Sequence, residues 1–165
     1  MGIENVIEYF SMYGIWIVFL IVFLEYLNLP GLPAGIIMPA AGILIATSEW
    51  SFTYALVVSV IAGLLGSIVL YYLGYFLGKP IVYKLYNKYP KMQGSIDKTF
   101  SYIDKYGNRG IFISRLIPVA RTLISLAAGV FNINIFKFLM YSTVGITVWN
   151  FGFIFVGYIA GKIFL

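Results

Sequence analysis

Cysteine and histidine are absent from all 165 residues. Without them the chain has no disulfide, thiolate nucleophile, imidazole base or His/Cys metal site. Charge is scarce as well: 10% of residues are Asp, Glu, Lys or Arg, where soluble domains carry about 25%. Of the acids Glu4, Glu8, Glu25, Glu49, Asp97 and Asp104, only Glu25 falls within apolar sequence, so paired-carboxylate acid–base catalysis has no basis. An enzyme is therefore not expected, and neither is a metal or cofactor. The N-terminus lacks the basic start and small-residue cleavage site of a signal peptide and carries Glu4 and Glu8 instead.

What fills the chain is hydrophobic. Apolar residues make up 61% of the sequence and mean hydropathy is +0.94, the composition of an integral membrane protein. The length suits one membrane domain over 1–165, with no room for a soluble catalytic module. The net charge of +5 is concentrated. Lys79, Lys84, Lys88, Lys91, Lys98, Lys105 and Arg109 face only Asp97 and Asp104 over 79–109, which marks a cytoplasmic loop under the positive-inside rule. Topology and attraction to anionic lipid account for that cluster, and nucleic acid is not expected as a partner.

The apolar segments divide as follows. Ile3, Val6, Ile7 and Phe10 share one helical face, predicting an interfacial amphipathic helix over 1–11. Residues 12–29 form a first transmembrane helix, close to the roughly 30 Å of a bilayer core. Pro30, Pro33 and Pro39, with Gly42 behind them, break up the uncharged stretch 30–48, since each interior proline removes a helix bond. A re-entrant hairpin is favoured there, with a kinked full span as the alternative, because broken backbone at membrane depth needs cover from protein or water. Residues 52–78 carry no charge and make a second span. Ser95 can cap an amphipathic helix ending near Gly107, inside the basic loop. Residues 111–131, broken at Pro118, read as a second re-entrant hairpin, and Asn134 caps a last span over 135–162.

An internal repeat organises these pieces. Pro33, Ala-Ala-Gly42 and a span ending Gly74-Tyr-Phe-Leu-Gly78-Lys79 are followed by Pro118, Ala-Ala-Gly129 and a span ending Gly157-Tyr-Ile-Ala-Gly161-Lys162. The expected fold is all-α: an inverted repeat of re-entrant hairpin plus transmembrane helix, as in many transporters. The competing reading is that small residues simply recur in membrane helices.

Within the second hairpin stand two arginines, Arg115 and Arg121, either side of Pro118. A guanidinium at the bilayer centre costs about 2.5–3.5 kcal/mol on insertion scales. Held as a pair, the two suit a lipid phosphate, which arginine grips in bidentate fashion. Glu25 can neutralise one of them. Alternatively the three charges form a buried network that only braces the fold. Asn28, Asn150, Tyr71 and Tyr72 are candidate cavity liners, though a membrane asparagine also serves helix–helix contacts.

Ser114-Arg115-Leu-Ile-Pro118-Val-Ala-Arg121 with Ala-Ala-Gly129 resembles the central signature of the DedA family, relatives of the VTT-domain scramblases in the SNARE-associated superfamily. Glu25-Tyr-Leu-Asn-Leu-Pro30-Gly-Leu-Pro33 leading to Gly42 resembles its first hairpin, and Gly66-Ser-Ile-Val-Leu-Tyr71 with Gly74 and Gly78 its next span. The resemblance implies a multi-pass protein of the bacterial inner membrane. It also implies movement of lipid between leaflets, either phospholipid such as phosphatidylethanolamine or a polyprenyl phosphate carrier such as undecaprenyl phosphate. Glu25, Arg115 and Arg121 match functional positions of the family. The family's second hairpin acid is replaced here by Ala34-Gly35, and its aspartate after Gly66 by Ser67, which weakens proton coupling and favours passive scrambling. The leading expectation is a scramblase or flippase whose partner is a lipid with a phosphate headgroup. A proton-coupled exporter of ions or drugs, with Glu25 as proton site, and a structural membrane subunit are the alternatives. Self-association is compatible with each.

Overall fold

A computed structural model describes residues 3–27, 34–117 and 120–164. Among them there is no strand. The elements are α1 (Ile3–Tyr26), α2 (Ala34–Ala46), α3 (Phe52–Lys88), a 3-10 turn at Pro90–Met92, α4 (Gln93–Tyr106), α5 (Arg109–Arg115), α6 (Ala120–Val130) and α7 (Ile135–Phe164). They form two compact units, Met1–Gly63 with Thr147–Leu165, and Leu64–Ile146. Both α3 and α7 contribute to each.

Two stretches, Phe52–Gly78 and Ile135–Ile163, are long and apolar enough to cross a membrane. Their faces are sorted in the sense a lipid solvent demands. On α3 the exposed stripe is Val57, Ile61, Leu65, Val69 and Leu73, and on α7 it includes Phe136, Met140, Val144 and Val148. The opposite faces are rich in small or polar residues, Ser59, Ala62, Ser67 and Gly74 on α3 and Ser142, Gly145, Asn150 and Gly157 on α7, beside buried Tyr71, Phe138, Ile146 and Ile154. Lipid tails are as apolar as leucine, so close backbone approach and hydrogen bonds, rather than hydrophobic burial, hold such helices together.

The repeat has a geometric counterpart inside each unit. In the first, α2 lies against the C-terminal half of α7: a methyl on Gly42 would strike the Ile154 carbonyl, and one on Gly157 the Pro39 carbonyl. In the second, α6 lies against α3 in the same way. There a methyl on Gly129 would strike the Tyr71 carbonyl, and one on Gly74 the Leu126 carbonyl. Pro39, Gly42, Ile154 and Gly157 thus correspond one for one to Leu126, Gly129, Tyr71 and Gly74. Each short helix packs on the span that belongs to the other repeat.

Several boundaries differ from the sequence expectation. Across the expected interfacial (1–11) and spanning (12–29) segments, Ile3–Tyr26 is one continuous helix, α1, because no proline or glycine pair interrupts the backbone there. Pro39 sits inside α2. An interior proline costs about 3 kcal/mol locally, and here the Pro39 carbonyl packs closely on Gly157 of α7. Pro30, Pro33 and Pro118 lie outside the described residues. The basic segment is helical over most of its length. α3 continues to Lys88 beyond a break at Gly78, whose φ of 60° and ψ of −156° is a conformation essentially reserved for glycine. α4 begins at Gln93, so Ser95 lies within it rather than at its cap. It ends as expected, where Gly107 has φ of 55° and donates its N–H to the Ile103 carbonyl at 2.8 Å. The Tyr86 hydroxyl reaches Asp97 Oδ2 at 3.4 Å, and the carboxylate charge raises the phenol above its usual range. Asn134 caps α7 as expected, accepting from the Phe136 and Lys137 N–H groups at 3.0 and 3.3 Å.

Candidate functional site

The second unit holds both arginines on a helix–turn–helix. α5 ends at Arg115, whose charge sits favourably in the last turn against the helix dipole. The chain then turns through Leu116 and Ile117, which donate to the Ile113 and Ser114 carbonyls at 3.1 and 3.2 Å. It re-enters helix at Ala120, where the Arg121 N–H donates to the Ile117 carbonyl at 2.9 Å. Arg115 is 1% exposed and Arg121 4%. Ser114 is fully buried, and its hydroxyl finds no hydrogen-bond partner among the described residues.

Arg115 is held by contacts from α6 and α7. Its Nη2 donates to Ser142 Oγ at 2.9 Å and to Ser125 Oγ at 3.1 Å. Its Nη1 donates to the Arg121 carbonyl at 3.3 Å. The guanidinium carbon lies 5.6 Å from the centre of the Phe138 ring, within cation–π range. The aliphatic stem runs over Gly145, where an added methyl would come within 2.6 Å of Arg115 Cβ. Tyr71 extends the tier. Its ring lies 5.1 Å from that of Phe138, and its hydroxyl donates to the Ile133 carbonyl at 2.6 Å.

The first unit holds the other polar cluster. Glu25 is 3% exposed on α1 and Tyr26 beside it 2%. The Tyr26 hydroxyl donates to Asn150 Oδ1 at 2.9 Å, Asn150 Nδ2 donates to Ser59 Oγ at 3.1 Å, and Ser59 donates to the Leu56 carbonyl at 2.7 Å. Ser59 stands as far before Gly74 as Ser142 does before Gly157, so both repeats place a buried serine at the same helix position. In the first unit that serine receives an amide; in the second, a guanidinium. Asn28 lies outside the described residues.

Of the residues singled out from sequence, Arg115, Arg121 and Tyr71 are brought together in one unit, and Glu25 and Asn150 in the other. Ser125, Ser142, Phe138 and Gly145 escaped notice. A signal existed for Ser125, which follows Arg121 by one helical turn on a face shared with it. No sequence rule selects Ser142 or Gly145, because only tertiary packing lays the Arg115 stem across α7.

An all-helical protein with apolar outward faces and buried arginines belongs to the membrane class. A family model described as the VTT domain matches residues 32–159. Undecaprenyl phosphate transporter A of Staphylococcus aureus is 31% identical over 158 residues, covering 93% of this chain and 77% of that protein. The Bacillus subtilis protein of the same name is 30% identical over 127 residues, 76% of this chain and 64% of its own. Protein DedA of Escherichia coli K12 is 29% identical over 163 residues, covering 94% and 74%. No solved structure matches. The chain belongs to the VTT-domain, DedA-type family of membrane proteins.

Proposed function

We propose that this protein carries a phosphate-bearing lipid between leaflets of a bacterial cytoplasmic membrane, with polyprenyl phosphate as the leading substrate and phospholipid as the second. The observation that supports it is a pair of buried arginines bracketing the α5–α6 turn, in a chain with few other charges. Two relatives are named for undecaprenyl phosphate transport, which favours the polyprenyl carrier. In this reading residues 30–48 and 111–131 are re-entrant and the basic segment 79–109 is cytoplasmic. Arginine supplies the bidentate grip. Tyr71, in the same unit as the arginines, shapes the lipid path. Glu25, buried in the first unit, is a titratable group on which the exchange depends.

Reconstitution into liposomes holding fluorescent lipid, followed by an impermeant quencher outside, tests this. Wild type is expected to lose signal beyond the outer-leaflet half, and Arg121→Ala to lose only that half. Glu25→Gln is expected to slow the exchange. If no lipid, polyprenyl phosphate included, is quenched beyond the outer half in wild type, the reading fails. Burial of Glu25 gives the proton-coupled exporter its one support. Exchange that follows an imposed pH gradient and disappears in Glu25→Gln would favour that alternative.

A further inference from the structure

We infer that Arg115 is a positioning residue, pinned by Ser125 and Ser142 to hold the α5–α6 turn, and that Arg121 alone contacts the lipid phosphate. The inference rests on the function proposed above and divides the labour between two arginines that sequence treats alike.

A guanidinium has five N–H groups in a rigid fork. Three of those on Arg115 go to the protein itself: two to Ser125 and Ser142, one to the Arg121 carbonyl. The recipients come from three places in the fold. Ser125 lies on α6, Ser142 on α7, and the carbonyl at the start of α6. One side chain at the end of α5 therefore fastens the next helix at two points and α7 at a third. Phe138 closes the face of the guanidinium and Gly145 leaves room for its stem. A bidentate grip on phosphate needs two N–H groups directed at it side by side. On Arg115 both hydrogens of Nη2 are directed at serine hydroxyls instead.

The position of Arg121 is what this fastening determines. The bond from Arg115 Nη1 falls on the carbonyl of Arg121 itself, and Ser125, one turn on, is held by the same guanidinium. The first turns of α6 are thus fixed by Arg115. Lysine cannot replace it, having one nitrogen where two nitrogens of a planar fork meet three acceptors.

The test uses the full chain in detergent micelles, with geranylgeranyl phosphate as probe and geranylgeraniol, which lacks the phosphate, as reference. The readout is the ratio of the two affinities. Arg121→Gln is expected to bring the ratio close to unity, a loss of about tenfold or more for a charge-assisted bidentate contact. Ser125→Ala with Ser142→Ala, which removes no charge, is expected to lower the ratio by about five- to tenfold while leaving binding of the alcohol unchanged. Arg115→Gln is expected to act only where Arg121 is present and to add nothing to Arg121→Gln. A purely structural brace would move thermal stability or both affinities together, and not their ratio.

Wild-type selectivity in the serine double variant overturns the inference. So does a further loss on adding Arg115→Gln to Arg121→Gln, which would put Arg115 on the phosphate. Should wild type show no preference for phosphate, the proposed function fails, and amide hydrogen exchange across residues 114–125 decides the positioning by itself. Faster exchange there in the serine variants, with 147–160 unchanged, supports the pin; unchanged exchange in both segments refutes it.

Discussion

At the residue scale, Tyr26, Ser59, Asn150 and Arg115 are buried polar side chains with hydrogen-bond partners inside the protein. Removing one partner of a buried bond leaves the other unsatisfied, at about 1–3 kcal/mol. In membrane proteins the average is lower, about 0.6 kcal/mol, because the unfolded chain in lipid finds partners too. Arg115 differs because it gathers three bonds and a ring contact, and because a glycine makes space for its stem. Gly145→Ala is expected to destabilise by about 1–3 kcal/mol through overpacking, read as a lower unfolding temperature in detergent. The substitution changes no charge and no hydrogen-bonding group, so wild-type stability would mean that the Arg115 stem does not lie where it is described.

At the element scale the two glycine notches do the packing. Gly42 with Gly157, and Gly74 with Gly129, let a short helix touch a span backbone to backbone. Dispersion and weak backbone contacts, which fall off steeply with separation, are the attraction available in lipid. A methyl at any of the four has no space. Gly42→Ala and Gly129→Ala are expected each to lower stability by about 2 kcal/mol or more. Gly152→Ala faces open space on α7 and should be neutral or stabilising by up to about 1 kcal/mol from helix propensity. Thermal unfolding of the three variants side by side checks the pattern. Equal effects at all three positions would remove the notches from the account.

At the scale of the whole molecule the solvent is the membrane. Leu65 is 42% exposed in the middle of an uncharged span, where arginine costs about 2.5–3.5 kcal/mol. Leu65→Arg is expected to reduce membrane insertion, measured as the fraction recovered in the membrane after expression. In a water-soluble fold the same exposed position would tolerate the charge, so undiminished insertion would argue against a lipid-facing stripe.

The membrane class, the helical composition, the order of helices and the paired arginines were legible in the chain itself. They depend on composition, on unbroken apolar length and on residues with few roles in lipid, and each is a local property. The same holds for Asn134 as a cap and Gly107 as a stop, since both act within one turn of their own helix. Other features were decided only in three dimensions. Pro39 stays inside α2, its carbonyl packed on Gly157, and residues 3–26 run on as one helix. The correspondence between Gly42–Gly157 and Gly74–Gly129 shows in the sequence as recurring glycines, but which helix each touches does not. Arg115 and Arg121 look interchangeable in one dimension. They differ because Ser125, Ser142 and Gly145, distant in the chain, converge on Arg115, and a side chain's partners are set by packing across helices rather than by spacing along one.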